Sequence, residues 1–301
     1  MSWLDLHLHS AVSSDGEISP RGLAELCRQE RIELAALTDH NSVAGVNEFM
    51  WRCAQLGVRA IAGVGLDCML DGLHLHILGY GIDIASPAFA EIEASVLQMM
   101  QQVSQRQMDA VARLGICFDR DAVTAKAHNG VVTPESIAES VFANQENQAH
   151  PLVRPLLDGE LSKRPLVNFY WALCAPGKPA HVPVEYIPAA QAVMTIHAAN
   201  GLAVLAHPGA NIGMDENLAE KVLSLPLDGI EAFSSYHDKK TTAFYKALAE
   251  KHGLLLTGGS DFHGKTKPDI RLGSVHYDGD GSEPEIRDAL LAALVQAKNT
   301  Q

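Results

Sequence analysis

Apolar runs that alternate with amphipathic stretches predict strands and helices in turn over the first 80 residues. Two of the amphipathic stretches have clear helix starts, since Ser19 precedes Pro20 in one (20–31) and Ser42 can cap the other, which runs to about Gln55. This succession implies parallel strands joined by crossover helices. The runs typical of buried strands lie at 3–9, 33–38, 58–66 and 73–80.

The pattern changes near residue 86 and resumes after residue 187. Residues 88–114 carry methionine and leucine at helical spacing, and 115–187 is irregular and rich in proline, so we predict a mostly helical inserted cap subdomain over 88–187. The flanking residues 1–87 and 188–301 then form one α/β domain, a β/α barrel or barrel-like sheet. Its later helices and strands are predicted at 188–200, 202–206, 216–224, 229–234, 239–252, 254–260 and 283–297.

The composition is that of a globular protein with an acidic surface and many histidines, 14 in all. Subtracting 36 Asp and Glu from 23 Lys and Arg gives a net charge of −13, which argues against charge-driven binding to nucleic acid or an anionic membrane. Five scattered cysteines without a Cys-x-x-Cys pair are typical of reduced thiols in a cytoplasm. The chain shows no signal-peptide pattern and no 18-residue apolar span, and no stable protein partner is inferred.

Histidine and aspartate residues gather where the predicted strands end. His7 and His9 lie two apart at the end of the first strand and therefore share a face, and Asp261 and His263 repeat this spacing after a late strand. Because active sites of parallel α/β folds form at the carboxyl ends of strands, these side chains are expected to converge. The others expected at this rim are Asp15, His40 and His207.

This convergence of imidazole and carboxylate groups predicts a metal centre. One His-x-His pair arises easily by chance, but four motifs that each close a predicted strand do not. Such mixed ligands suit Zn, Mn or Fe, and two or three ions roughly 3.5–4 Å apart form a site that hydrolyses phosphate esters. His74 and His76 are ambiguous, since a half-exposed strand explains them nearly as well. Histidines outside strand ends are expected on the surface or in the core: His128, His150, His181, His197, His252 and His276.

At these positions the sequence resembles the PHP family of metal-dependent phosphoesterases, which is related to the amidohydrolases. The resemblance implies a distorted (β/α)7 barrel with a helical cap inserted after the fourth of the matching segments. Those segments occur in family order, at 5–10 (DLHLHS), 14–16 (SDG), 38–41 (TDHN), 76–80 (HILGY), 206–208 (AHP) and 259–263 (GSDFH).

The resemblance also implies metal-ligating roles, position by position. His7, His9 and Asp261 correspond to the ligands of a first ion, and His76 and His207 to ligands of a second. His207 and Asp261 are therefore candidate catalytic residues as well. The expected cofactors are two or three divalent ions, with manganese favoured over zinc or iron. The ligands of a third ion correspond to Asp15, His40 and His263.

One position departs from the family pattern. Family members usually read Gly-Val-Glu-Ile after the third strand, and the Glu bridges two metal ions, whereas this chain reads Gly-Val-Gly-Leu-Asp over 63–67. Gly65 offers no ligand, which puts the binding of the second ion in doubt. Asp67 shares a strand face with Gly65 and could replace the glutamate as a metal ligand, directly or through water. A solvated loop carboxylate is the alternative.

The inserted helices and residues 177–183 resemble the branch of the family that acts on nucleotides. The implied activity is a phosphomonoesterase that removes the 3′-phosphate of nucleoside 3′,5′-bisphosphates, for example adenosine 3′,5′-bisphosphate to AMP and phosphate, by metal-activated hydroxide. The cap would close over base and ribose. However, the usual cap motif of this branch, Arg followed closely by His-Phe-Ala, is absent at 133–138, so no cap contacts carry over. The candidate substrate contacts are Asn41, Lys178, His237 and Arg271.

Three further alternatives stay open. His237 could protonate the leaving oxygen or be an ordinary surface histidine. A 5′-to-3′ exonuclease that trims short RNA or DNA would use the same metals, but a long polyanion prefers a basic channel, and the net charge of −13 weakens this hypothesis. Basic residues of 154–178 clustered beside the site would favour it. A non-catalytic regulatory module is supported only by the lost carboxylate at Gly65.

Overall fold

The computed structural model describes residues 2–127, 129–275, 277 and 282–299. His128 and His276, predicted above to be surface or core histidines, lie outside the described residues. The chain divides into two compact units, one formed by Met1–Glu93 with Tyr186–Gln301 and the other by Ala94–Glu185. Among the described helices, none has the length and apolarity that a bilayer span requires.

The first unit contains one twisted sheet. Its strands, in chain order, are β1 (Leu4–Leu8), β2 (Leu34–Leu37), β3 (Arg59–Leu70), β4 (Leu73–Tyr80), β5 (Ile187–Pro188), β6 (Leu202–Leu205), β7 (Gly229–Ser234) and β8 (Leu255–Gly259). They are paired in the order β1-β2-β3-β4-β6-β7-β8, with β5 paired to β3. The segment after β8 returns to β1, since Asp261 N donates to His7 O (2.9 Å) and His9 N donates to Phe262 O (3.0 Å). The sheet is thus a nearly closed seven-stranded barrel, and the predicted barrel is confirmed.

The helices, in chain order, are α1 (Pro20–Gln29), α2 (Val46–Leu56), α3 (Pro87–Arg113), α4 (Arg120–Ala125), α5 (Pro134–Ala143), α6 (Arg154–Leu157), α7 (Pro165–Phe169), α8 (Ala189–Ala198), α9 (Pro208–Asn211), α10 (Glu216–Leu223), α11 (Lys239–His252) and α12 (Ser282–Asn299). A π-helical turn, Tyr170–Cys174, follows α7. Ser19 caps α1 as predicted, because its hydroxyl accepts from Gly22 N (3.1 Å). The prediction for α2 was early by one turn, since Ser42 bonds Ala44 N instead and the helix begins at Val46.

The strand pair β3–β4 corrects the sequence prediction. The pattern implied that the early strands are all parallel, but β4 runs antiparallel to both β3 and β6. The reason is the two-residue connection Asp71-Gly72, whose φ angles are +48° and +85°. Both residues occupy the left-handed region that a tight hairpin turn requires, and so short a link leaves no room for a crossover helix.

The alternation of β1 places chemistry on one face and packing on the other. Leu4, Leu6 and Leu8 are fully buried, and Leu8 packs in a cluster with side chains of α1 and α2. Asp5 and His7 therefore point to the opposite face, inside the barrel, where they are also fully buried. The same pattern that builds the core thus directs His7, the first metal-ligand candidate, inward.

The second unit has a hydrophobic core of its own. The larger part of α3 and the helices α4–α7 contribute to this core, as the predicted helical insertion requires. Its most buried members include Met108, Val111, Ile137, Val141 and Phe169. Asn147 helps to fix this unit, because its side chain donates to Cys117 O (2.6 Å) and to Val141 O (2.8 Å).

Candidate metal centre

Nine predicted side chains meet at one end of the barrel. His7 lies on β1, and His9 and Asp15 lie in the segment after it, while the remaining positions follow β2, β6 and β8 or lie on the β3–β4 hairpin. The imidazole rings are in direct contact: His9 stacks between His40 and His263, with ring centroids 4.3 and 4.0 Å away. The nine are His7, His9, Asp15, His40, Asp67, His76, His207, Asp261 and His263.

Their potential ligand atoms form three groups, and within each group the atoms lie within 4.8 Å of one another. Asp15 borders the first group, with its Oδ2 3.3 Å from His263 Nε2 and 3.9 Å from His40 Nε2. His40 belongs to two groups, so adjacent ions would share their surroundings. The groups are His9, His40 and His263; His7, His207 and Asp261; and His40, Asp67 and His76.

The cluster contains buried polar atoms without hydrogen-bond partners among the described residues, and these atoms test whether a cation fits. Burial of an unpaired polar atom costs free energy. The concentration of such atoms in one place therefore points to a cation as their shared partner. Asp261 Oδ1 lies 3.2 Å from His7 Nε2 and 3.0 Å from His9 Nε2. Ligands about 2.1 Å from one tetrahedral ion would be about 3.4 Å apart, close to these separations. The unpaired atoms are Nε2 of His7, His9 and His263, Nδ1 of His40 and His76, and Oδ1 of Asp15 and Asp261.

The protonation states of His7, His9 and Asp261 also suit metal ligands. Burial lowers the pKa of His7 to about 3 and holds the pKa of His9 well below its usual value. Both rings are therefore neutral at neutral pH, and each can donate a nitrogen lone pair to a metal ion. Burial would raise the pKa of Asp261, but the surrounding imidazoles hold it well below its usual value and keep the carboxylate ionised. Burial would lower the pKa of His40, yet Asp67 and Asp15 raise it to about 9. Cation binding at His40 would therefore release a proton.

Glu231, which the sequence analysis missed, contacts two residues of the centre, His7 and His207. It is fully buried on β7, and its carboxylate oxygens lie 3.1 and 3.2 Å from His7 Nδ1. Its Oε2 also accepts from His207 N (2.7 Å). Such a partner fixes the His7 tautomer, so that Nε2 faces the metal centre. A lone glutamate within the apolar strand 229–234 was the sequence signal for this role.

Asp67 occupies the place where the sequence lacks a glutamate. A Cβ atom added at Gly65 would lie 2.7 Å from the carbonyl oxygen of Thr38, so the backbone leaves no space for a side chain there. Asp67, two residues on, is buried, with Oδ1 3.0 Å from His76 Nε2 and Oδ2 3.4 Å from His40 Nδ1. Its carboxylate thus lies between the two imidazoles, as the replacement hypothesis requires.

Two neighbours hold Asp67 in this position. Asn41 donates from Nδ2 to Asp67 Oδ2 (2.5 Å) and accepts from Asp67 N (3.0 Å), so both ends of its amide contact Asp67. The structure thereby gives Asn41, predicted to contact substrate, a supporting position. His74 Nε2 lies 3.0 Å from Asp67 Oδ1, and its ring stacks on Tyr186 with 10° between the planes. Spacing alone had left His74 ambiguous.

The other predicted substrate contacts are His237, Arg271 and Lys178. His237 is buried, its Nδ1 bonds Ala232 O (2.9 Å), and its Nε2 accepts from Gly209 N (2.9 Å). Backbone groups thus engage both nitrogens, and the phosphate contact or proton-donor role of His237 stays a prediction. Arg271 is exposed and borders a surface pocket that Glu17 and Lys265 also line. Lys178 is exposed in the second unit.

Fold and site together define the class: a metal-dependent phosphoesterase built on a β/α barrel. The PHP domain model matches residues 5–101. The 3′,5′-nucleoside bisphosphate phosphatase of Chromobacterium violaceum is 31% identical over 269 residues, covering 87% of this chain and 88% of that protein. The chain therefore belongs to the PHP family.

Other relatives carry different activities in their names. The phosphoribosyl 1,2-cyclic phosphate 1,2-diphosphodiesterase of Eggerthella lenta is 30% identical, covering 87% of this chain and 94% of that protein. The 5′-3′ exoribonuclease of Haemophilus influenzae is 28% identical, covering 86% and 89%. A solved structure of an amidohydrolase from Chromobacterium violaceum with bound sulfate shares 29% identity and a TM-score of 0.68, covering 86% of this chain and 87% of that one.

Proposed function

We propose that this protein is a phosphomonoesterase that removes the 3′-phosphate from nucleoside 3′,5′-bisphosphates and leaves the nucleoside 5′-phosphate. The observation that carries the proposal is the set of buried, unpaired imidazole and carboxylate atoms at one end of the barrel. Similarity to a bisphosphate phosphatase over 87% of the chain supports the choice of substrate.

The nine residues of the centre would hold two or three divalent ions, with manganese favoured and zinc or iron as alternatives. When bound, such ions supply a hydroxide nucleophile at neutral pH and neutralise the charge of the phosphoryl oxygens. Asp261 and His207 would act as ligands at the reacting phosphate. Asp67 would serve as the shared ligand between His40 and His76 in place of the missing glutamate.

The other residues of the centre orient these ligands. Glu231 holds His7 in one tautomer, and Asn41 holds the Asp67 carboxylate. Asp39 accepts hydrogen bonds from the Ser10 and Ser13 hydroxyls (2.7 and 2.8 Å), which fixes the loop after β1. Because His7, His9 and His263 are almost fully buried, bulk water is kept from these three imidazoles.

The inserted unit is proposed to act as a substrate-binding cap that recognises base and ribose, with Lys178 and, from the barrel, Arg271 as candidate phosphate contacts. The proposed boundaries are 1–87 and 188–301 for the barrel and 88–187 for the cap, and the division of the chain into two compact units supports them. All five cysteines are unpaired, four of them buried, which supports a reducing compartment, and we propose the cytoplasm.

A substrate comparison tests the proposal. The manganese-loaded protein is incubated with adenosine 3′,5′-bisphosphate, a short 5′-phosphorylated oligonucleotide or histidinol phosphate, and phosphate release is measured. We expect the bisphosphate to have the highest kcat/KM. No phosphate from any of the three would contradict a phosphomonoesterase.

The second candidate is a 5′-to-3′ exonuclease on short RNA or DNA, supported by the exoribonuclease relative. The net charge of −13 favours a small nucleotide over a long strand. Higher kcat/KM for the oligonucleotide than for the bisphosphate, with release of mononucleotides, would favour this candidate over the first.

A further inference from the structure

Two side chains from different loops donate to the same oxygen of Asp261. Tyr236, in the turn after β7, donates from Oη to Asp261 Oδ2 (2.6 Å), and Lys267 Nζ donates to that oxygen at the same distance. Lys267 Nζ also lies 3.1 Å from Tyr236 Oη. The other oxygen of Asp261, Oδ1, faces His7 and His9. The Asp261 carboxylate therefore lies between this donor pair and the two candidate metal ligands His7 and His9.

The donor pair lies on the accessible side of the cluster. Tyr236 is 40% exposed and the Lys267 side chain 33%, whereas Asp261 and His7 are buried. The Tyr236 ring meets His207 edge-on, with centroids 5.4 Å apart. An anion that approaches the group of His7, His207 and Asp261 from solvent can thus reach both donors.

The charge balance of the centre calls for an anion at this place. Asp15, Asp67, Asp261 and Glu231 contribute −4, and two or three divalent ions would contribute +4 or +6, so the loaded centre carries 0 or +2. Lys267 adds a further positive charge next to it. Asp261 cannot neutralise both a metal ion and the lysine, and an ammonium and a phenol side by side suit an oxygen of a phosphoryl group.

We propose that Tyr236 and Lys267 form a phosphate subsite, in which they bind an oxygen of the phosphoryl group that is transferred. The inference rests on the proposed phosphatase function and adds two substrate-contacting residues to it. Neither residue belongs to the metal-ligand set. The competing role is support of Asp261 alone, in which case loss of Lys267 would weaken metal binding rather than phosphate binding.

The experiment compares Lys267→Met, Lys267→Arg and Tyr236→Phe with a matched control, Lys265→Met. Lys265 is two residues away on the same loop, its side chain is 90% exposed, and it pairs with Glu17. For each manganese-loaded variant, metal content is measured by elemental analysis, and the affinity for inorganic phosphate by calorimetry and by inhibition of bisphosphate turnover.

A hydrogen bond to a charged group is worth enough that Lys267→Met should weaken phosphate binding about 10- to 150-fold. Tyr236→Phe, which removes a neutral donor, should weaken it about 2- to 10-fold. Lys267→Arg should retain most of the affinity, and Lys265→Met all of it. Metal content should match the wild type in every variant.

Two outcomes would overturn the subsite: loss of metal from Lys267→Met, or unchanged phosphate affinity in Lys267→Met and Tyr236→Phe. If the wild-type protein hydrolyses none of the substrates, the proposed function fails. Calorimetry with inorganic phosphate still decides the subsite in that case, because it does not depend on turnover.

Discussion

Replacement of Asp67 by asparagine tests how the chain compensates for Gly65. The side chain keeps its shape and its backbone contact with Asn41, but one negative charge disappears 3.0 Å from His76 Nε2 and 3.4 Å from His40 Nδ1. Loss of a residue that merely supports a ligand costs roughly 10- to 100-fold in metal affinity. For a direct ligand we expect at least ~100-fold, about 2.7 kcal/mol, confined to the ion held by His40 and His76.

The assay is manganese content after buffer exchange, together with a calorimetric manganese titration. Asp67→Asn should bind one ion fewer per chain, while the group of His7, His207 and Asp261 keeps its ion. Asp71→Asn is the matched control: it lies in the turn of the same hairpin, its side chain is 66% exposed, and asparagine tolerates its positive φ. Equal metal content and affinity in Asp67→Asn and wild type would refute the replacement hypothesis.

Three further predictions concern the support of the centre. Glu231→Gln weakens the hydrogen-bond acceptor that orients His7, so manganese affinity should fall about 10- to 100-fold in a titration. An unchanged affinity would show that Glu231 does not support the metal centre. Gly65→Ala places a Cβ 2.7 Å from Thr38 O, and urea denaturation should show a loss of roughly 1–3 kcal/mol in the free energy of unfolding, whereas full stability would mean that the strands separate easily. Chelation should lower the melting temperature, since an ion present at 100 times its Kd adds about 2.7 kcal/mol to the free energy of unfolding. A melting temperature that does not change with manganese would argue against binding at the buried cluster.

The sequence was informative wherever local periodicity determines the outcome. Alternation along β1 already placed His7 and His9 on one face, and the strand-end positions of His40, His207 and Asp261 were sufficient to predict their convergence. The antiparallel orientation of β4 was missed because a pattern of strands and helices does not reveal the direction in which each strand runs. Only the Asp71-Gly72 turn carried that information.

Contacts between distant segments could not be read from local pattern. Glu231 meets His7 across 224 residues, and Lys267 and Tyr236 meet at Asp261 only because β7 and β8 are neighbours. The contacts of His237 could not be read from local pattern either. Its position after a strand suggested chemistry, and its two nitrogens bind the backbone of β7 and of the segment after β6.

The most direct test of the central claim is phosphate release from adenosine 3′,5′-bisphosphate by chelator-stripped protein, before and after addition of manganese, with chromatographic identification of the nucleotide product. We predict no turnover by the stripped protein, and after manganese addition one phosphate and one AMP for each bisphosphate consumed. Undiminished turnover without metal, or release of adenosine 3′-phosphate instead of AMP, would contradict the account.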